Sequence, residues 1–236
     1  MKEVHVEKVD AISQEVNQLR KELPDKDKMK IGFDDSALHK GKILITATGI
    51  NYSYGTRLLW KGPLDVQITS GSRIAIKGMN GSGKTTLINI FLGALEPSSG
   101  TIYRADLKAI YIDQDYSLID NRRTVYEQVQ QFNTDHLQEH EVKSRLTHFL
   151  FTKTYWDKPC AALSGGEKMR LILCCLTISS QAPDIIILDE PTNNLDIQNT
   201  EILTNAINEY AGTLIVVSHD IYFLEQIKVE QVIELK

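Results

Sequence analysis

The chain has 236 residues, 42% of them hydrophobic, and a formal charge of -5. That length supports one α/β domain with a sizeable core and a short appendage. The acidic balance argues against broad electrostatic capture of RNA or DNA by this domain itself and leaves room only for a small basic patch.

The three cysteines, Cys160, Cys174 and Cys175, lack metal-ligand spacing and are expected to be buried or inert thiols. The N-terminus is charged, so no leader peptide is expected. The apolar stretches are strand-length and interrupted by polar residues, too short to span a bilayer. The expectation is a cytoplasmic domain with no direct membrane insertion.

In chain order, Val9, Ile12, Val16, Leu19 and Leu23 come first. Their steps of three and four make one apolar stripe on a helix. Such a helix is too short to stand alone in water and needs a partner. It is either a terminal helix lying on the domain or the end of a longer coiled-coil linker. Pro24 and the charged run Asp25 to Lys28 end it.

From Lys30 the period changes to two. Strands are expected around Ile31 to Phe33, Ile43 to Ala47, Leu64 to Ile68, and over 73–77, 110–113, 184–188, 213–217 and 232–235. Helices are expected within 124–150, 167–180 and 198–209. Buried strands alternating with helices predict an α/β sheet covered on both faces. The more polar middle, about 117–180, reads as an inserted helical lobe.

The run Gly78-Met79-Asn80-Gly81-Ser82-Gly83-Lys84-Thr85 follows an expected strand and opens a helix. That context and spacing make a phosphate-binding loop. Its glycines let the backbone curl and aim N–H groups at phosphate oxygens. The helix N-terminus adds its positive dipole end. Lys84 is placed on the β and γ phosphates, and Thr85 on magnesium.

The apolar strand Ile185 to Leu188 ends in Asp189 and Glu190. Strand ends are where α/β sheets hold ligands. Asp189 suits magnesium, and Glu190, on the alternate side, suits the base for an attacking water. Gln114 and His219 also follow expected strands. An amide can hold a metal or water, and a histidine can reach a γ phosphate. Each is weak alone. Leu163-Ser164-Gly165-Gly166-Glu167 precedes a helix expected to start near Glu167. It makes a second anion nest. One nucleotide does not need two, so this nest is expected to serve a nucleotide held by another domain.

Taken in this order, the motifs resemble those of the ABC ATPases over residues 43–236. The resemblance implies a P-loop NTPase of the ABC type: an α/β, RecA-like core sheet, an antiparallel β subdomain and an inserted helical subdomain. It implies ATP contacts from Tyr54, Gly78, Asn80, Gly81, Ser82, Gly83, Lys84, Thr85 and Thr86, with Tyr54 stacking on the base. It implies magnesium at Thr85, Gln114 and Asp189, and a catalytic set of Glu190, His219 and Gln114. Leu163, Ser164, Gly165, Gly166 and Glu167 resemble the signature that meets the nucleotide of a partner domain. Asn194-Leu195-Asp196 resembles the D-loop.

Within the family, Glu190-Pro191-Thr192-Asn193-Asn194-Leu195-Asp196 and Ser218-His219-Asp220 to Leu224 resemble the ABC-F branch. A histidine is common there where this chain has Asn194. ABC-F proteins carry two ABC domains joined by a helical hairpin that reaches into the ribosome. The resemblance therefore implies a C-terminal ABC domain. Residues 1–23 would be the end of the linker, 24–42 a connecting segment and 43–236 the ATP-binding domain. Its partners would be a second ABC domain in the same polypeptide and the ribosome and its RNA, reached through the linker. Alone, it is expected to be a monomer or weak homodimer. The role implied is antibiotic resistance by ribosomal protection, with a housekeeping translation role and an ABC transporter subunit as the alternatives.

Overall fold

The computed structural model describes residues 41–179 and 181–236. The stripe from Val9 to Leu23 and the strand expected at Ile31 to Phe33 lie outside the described residues.

Two sheets are built in chain order. Strand β1 (Ile43–Asn51) leads through the small hairpin β2 (Ser53–Tyr54) and β3 (Arg57–Leu58) to β4 (Leu64–Thr69) and β5 (Arg73–Lys77). Helix α1 (Lys84–Phe91) follows, then β6 (Ser99–Arg104) and β7 (Ala109–Ile112). Strand β1 pairs antiparallel with β4 on one side and β6 on the other. This is the antiparallel unit that the resemblance implies. Neither β6 nor the β2–β3 hairpin was expected from sequence. Strand β6 reads Ser-Gly-Thr-Ile-Tyr-Arg, and only Ile102 is an aliphatic residue to mark a buried face. Its strand conformation comes from pairing with β1, not from a pattern of its own.

Residues 117–180 contribute α2 (Val125–Gln130), α3 (Glu139–His148), α4 (Lys153–Trp156), a 3-10 turn over Cys160–Ala162 and α5 (Gly165–Ile178). Every residue from Leu171 to Ile178 of α5 is buried, because α2, α3 and the later α6 (Ile197–Glu209) all pack on this helix. The three cysteines are buried as expected. Burial pushes their thiols up, that of Cys160 to about 11, so they stay protonated and unreactive at neutral pH.

The remaining strands are β8 (Ile185–Asp189), β9 (Thr213–Val217) and β10 (Gln231–Glu234), with α7 (Ile221–Gln226) before β10. Helix α7 was also not anticipated; it is short and opens on the Asp220 cap, whose carboxylate accepts from the Phe223 N–H at 3.0 Å. Strands β10, β5, β9, β8 and β7 form one parallel sheet in that order. The Ile and Val runs of the three inner strands, β5, β9 and β8, are buried, as a sheet covered on both faces requires, while the edge strand β10 leaves Val232 exposed.

One apolar cluster ties the two sheets together through α1. It holds Leu44, Ile50 and Ile68 from the antiparallel sheet, Leu87, Ile88 and Ile90 from α1, and Ile74 and Ile215 from the parallel sheet. Each such side chain contributes roughly 1.5–3 kcal/mol on burial. The phosphate loop, between β5 and α1, is thus carried on two anchored elements.

Candidate nucleotide site

Strand register assembles the site. Ile76 pairs with Val217, and Val217 pairs with Asp189 on its other side. The chains leaving β5, β8 and β9 therefore emerge side by side as Gly78, Glu190 and Ser218. On β8's far side, Ile112 pairs with Leu188, which sets Gln114 two residues past the end of β7.

A cavity of about 500 Å³ lies at this edge. It is lined by Asn80, Gly81, Gly83, Lys84, Thr85 and Thr86 of the loop and α1, by Tyr54 and Leu59, and by Gln114, Asp189 and Glu190. Residues far apart in the chain thus meet on one surface. The Lys84 ammonium donates to the carbonyls of Gly78 at 2.9 Å and Met79 at 3.2 Å, which holds its charge along the wall of the loop. Tyr54 is 60% exposed. Its hydroxyl lies 3.0 Å from the Thr86 Oγ1, and its ring meets Tyr52 edge-on. Those contacts fix the ring at the rim of the cavity.

Gly83 shows why the loop needs glycine. Its φ is +93°, and a Cβ there would sit 2.4 Å from a Leu59 methyl and 2.9 Å from the Trp60 Nε1. Both the conformation and the space exclude a side chain. The crowding comes from Leu59 and Trp60, neither of which carries a local sequence signal for this role. Trp60 is 2% exposed, and its indole N–H donates to the Ser82 carbonyl at 3.0 Å. Asn51 holds the Trp60 backbone: its carboxamide donates to the Trp60 carbonyl and accepts from the Trp60 N–H. The loop is therefore buttressed from below. Trp60→Phe keeps most of the ring volume and removes this donor. It is expected to weaken nucleotide binding by about 1 kcal/mol, the worth of one such bond. Isothermal titration calorimetry would read this, and an unaltered affinity would show that the Ser82 carbonyl does not need the indole.

On the metal side, the Tyr111 hydroxyl donates to the Asp189 Oδ2 at 2.8 Å. Burial and this carboxylate push the Tyr111 phenol up, so it remains a neutral donor. Thr85, Gln114 and Asp189 bring a hydroxyl, an amide and one carboxylate to the same cavity. Oxygen donors of this type suit magnesium, which takes few protein ligands and completes its shell with phosphate and water. No cluster of three or more His, Cys, Asp or Glu side chains that could hold a metal ion occurs among the described residues.

Glu190 is mostly buried and has φ +48°. Its N–H donates to the Val217 carbonyl at 2.8 Å, which locks this left-handed turn onto β9. Its Oε1 lies 3.4 Å from the Nε2 of the exposed His219. His219 lines a neighbouring cavity of about 570 Å³, with Gly78, Met79, Ser82 and three lysines, Lys61, Lys77 and Lys236. Glu190 and His219 thus link the two cavities.

Leu163 to Glu167 and Asn194 to Asp196 line neither cavity. The helix expected near Glu167 begins earlier, at Gly165, because Ser164 and Glu167 form a capping box. The Ser164 Oγ accepts from the Glu167 N–H at 3.3 Å, and the Glu167 carboxylate accepts from the Ser164 N–H at 2.7 Å. The Ser-x-x-Glu spacing carried this signal. Burial pushes the Glu167 carboxyl up, but hydrogen bonds from Ser164 and Tyr155 and the nearby Lys158 together hold it below its usual range. Asp196 likewise caps α6, accepting from the Asn199 N–H at 2.7 Å and from its side-chain amide at 2.9 Å.

Two further residues connect these segments. A Cβ on Gly166 would stand 2.4 Å from the Asn199 amide nitrogen, so α5 and α6 touch where both begin. A Cβ on Gly165 would lie 3.6 Å from the Tyr116 hydroxyl and 3.9 Å from the Asn194 carbonyl. The segment after Gln114 therefore reaches the start of the Ser164 helix, which also lies beside the Asn194 turn. Asn194 has φ +63°, a conformation that asparagine tolerates better than most side chains.

The family described as ABC transporter matches residues 62–193. The chain is 36% identical over 211 residues to ABC transporter F family member 5 of Arabidopsis thaliana, covering 88% of this chain and 30% of that protein. It is 34% identical over 198 residues to the ribosome protection protein VmlR of Bacillus subtilis, covering 83% and 35%. The chain spans about a third of the length of these curated relatives. Among solved structures, RNase-L Inhibitor superposes with a TM-score of 0.65 at 30% identity, over 82% of this chain and 38% of that one. An Atm1-family ABC exporter with ATP bound superposes with a TM-score of 0.67 at 19% identity, which speaks to fold alone. The chain belongs to the ABC family of ATP-binding domains, and its relatives are ABC-F proteins.

Proposed function

We propose that this chain is the C-terminal ATP-hydrolysing domain of an ABC-F protein, closing on a second ABC domain of the same polypeptide to act on the ribosome. One observation carries the reading of the site. A single cavity gathers Asn80, Gly81 and Gly83 of the phosphate loop with Lys84, Thr85, Gln114, Asp189 and Glu190, while Ser164 to Gly166 lie outside it. Each half-site then needs the Ser164 nest of another domain to close over its nucleotide.

In this reading the loop N–H groups and Lys84 hold the phosphates, and Tyr54 stacks on the base. Thr85, Gln114 and Asp189 would hold magnesium, which would supply positive charge against the phosphates. Glu190 accepts a proton from the attacking water, and His219 orients it beside the γ phosphate. Closure buries polar nests that only ATP satisfies, so loss of the γ phosphate favours opening. Residues 1–23 end the interdomain linker, 24–42 connect it, and 43–236 form the domain with its helical lobe at about 117–180.

The ribosome enters through the likeness to a ribosome protection protein, and antibiotic resistance by ribosomal protection is the role proposed. No helix among the described residues is long and apolar enough to cross a membrane. The test uses the full-length gene product carrying Glu190→Gln. It is incubated with ribosomes, with and without ATP, and pelleted through a sucrose cushion. Co-pelleting that requires ATP is expected, along with loss of drug tolerance when the gene is deleted. Co-pelleting without a change in drug tolerance would instead indicate a housekeeping translation factor. No co-pelleting with ATP binding intact would overturn the ribosomal reading and leave a transporter-type partner to be sought.

A further inference from the structure

We propose that Tyr111 is a positioning residue for the metal side of the site, orienting the Asp189 carboxylate by its hydroxyl; this rests on Asp189 holding magnesium. Tyr111 pairs with Ile187 across β7 and β8, two residues before Asp189 on the same strand. Its ring packs against the core cluster, so the hydroxyl is delivered from a fixed base. The hydroxyl donates to the Asp189 Oδ2 at 2.8 Å and occupies one of the two carboxylate oxygens. That bond leaves the other oxygen for a ligand, and Asp189 lines the cavity together with Lys84, Thr85 and Gln114.

The chemistry of the donor matters. An arginine or lysine at this place would orient the carboxylate equally well and cancel the negative charge that attracts a cation. A phenol orients it and leaves the charge in place. Without the hydroxyl, Asp189 must stop rotating when the metal arrives, and metal affinity falls by the worth of that ordering. Tyr111 also lies three residues before Gln114, so β7 and the loop leaving it supply both an amide for the metal and the support for its carboxylate.

The experiment measures nucleotide affinity of the full-length protein, with a ribose-labelled fluorescent ATP, across magnesium from excess EDTA to saturation. Tyr111→Phe keeps the ring and its packing. It is expected to leave the affinity in EDTA unchanged and to raise the magnesium midpoint about tenfold, as loss of one bond to a charged group implies. Asp189→Asn, run alongside, is expected to move the midpoint further. A wild-type midpoint in Tyr111→Phe, with Asp189→Asn shifted, overturns the proposal alone. Weakened affinity in EDTA also overturns it, because the tyrosine would then support the loop and not the metal. An unshifted midpoint in Asp189→Asn overturns the magnesium assignment itself and the proposal with it.

Discussion

Glu190→Gln is expected to bind ATP as tightly as the unaltered protein while turnover falls by roughly 10²–10⁴-fold, the usual contribution of a positioned general base. The substitution keeps side-chain size and removes only the ability to accept a proton. The backbone at Glu190 holds a left-handed turn, pinned by its N–H to the Val217 carbonyl. That bond belongs to the main chain and survives the change, so the loop geometry persists. The His219 Nε2, 3.4 Å from the Oε1 of Glu190, keeps a polar neighbour in the glutamine amide. Phosphate release at saturating ATP, measured on the polypeptide with both ABC domains, checks the outcome. Turnover at the unaltered rate would remove Glu190 from the base role and turn attention to His219.

Lys84→Ala should act at the earlier step, on binding. The ammonium has three donors, of which two engage the Gly78 and Met79 carbonyls. It stands at the first residue of α1, where the helix N-terminus already favours anions. Charge-assisted bonds to phosphate are worth about 1.5–3 kcal/mol each, so nucleotide affinity is expected to fall by at least tenfold. The fold should not follow. Helix α1 is anchored by Leu87, Ile88 and Ile90, all fully buried, and alanine keeps the helix propensity of position 84. Calorimetric titration with ATP, alongside thermal unfolding, separates the two effects. Unchanged affinity would contradict the phosphate role.

The contiguous parts of the site were readable because their function depends on local backbone. A glycine-rich loop between a strand and a helix needs its residues in one run, and so does an apolar strand ending in two acids. The capping box at Ser164 and Glu167 was equally local, and its spacing would have placed the start of α5 at Gly165. Strand β6 gave no such signal, since its residues carry no apolar alternation and its conformation is imposed by β1.

Local pattern alone was enough to expect an α/β sheet of apolar strands, a glycine-rich loop between a strand and a helix, and an acidic pair at a strand end. Tertiary structure decided which distant residues support them. Tyr111 reaches Asp189 across 78 residues of sequence because β7 and β8 lie in parallel register. Trp60 reaches the Ser82 carbonyl across 22 residues because the antiparallel sheet packs beneath α1. Tyr116 and Asn194 both come up against Gly165 for the same kind of reason. A hydrogen bond or a close packing contact requires only that two atoms meet in space. When the residues lie far apart in the chain, nothing in the local pattern of either one records its partner.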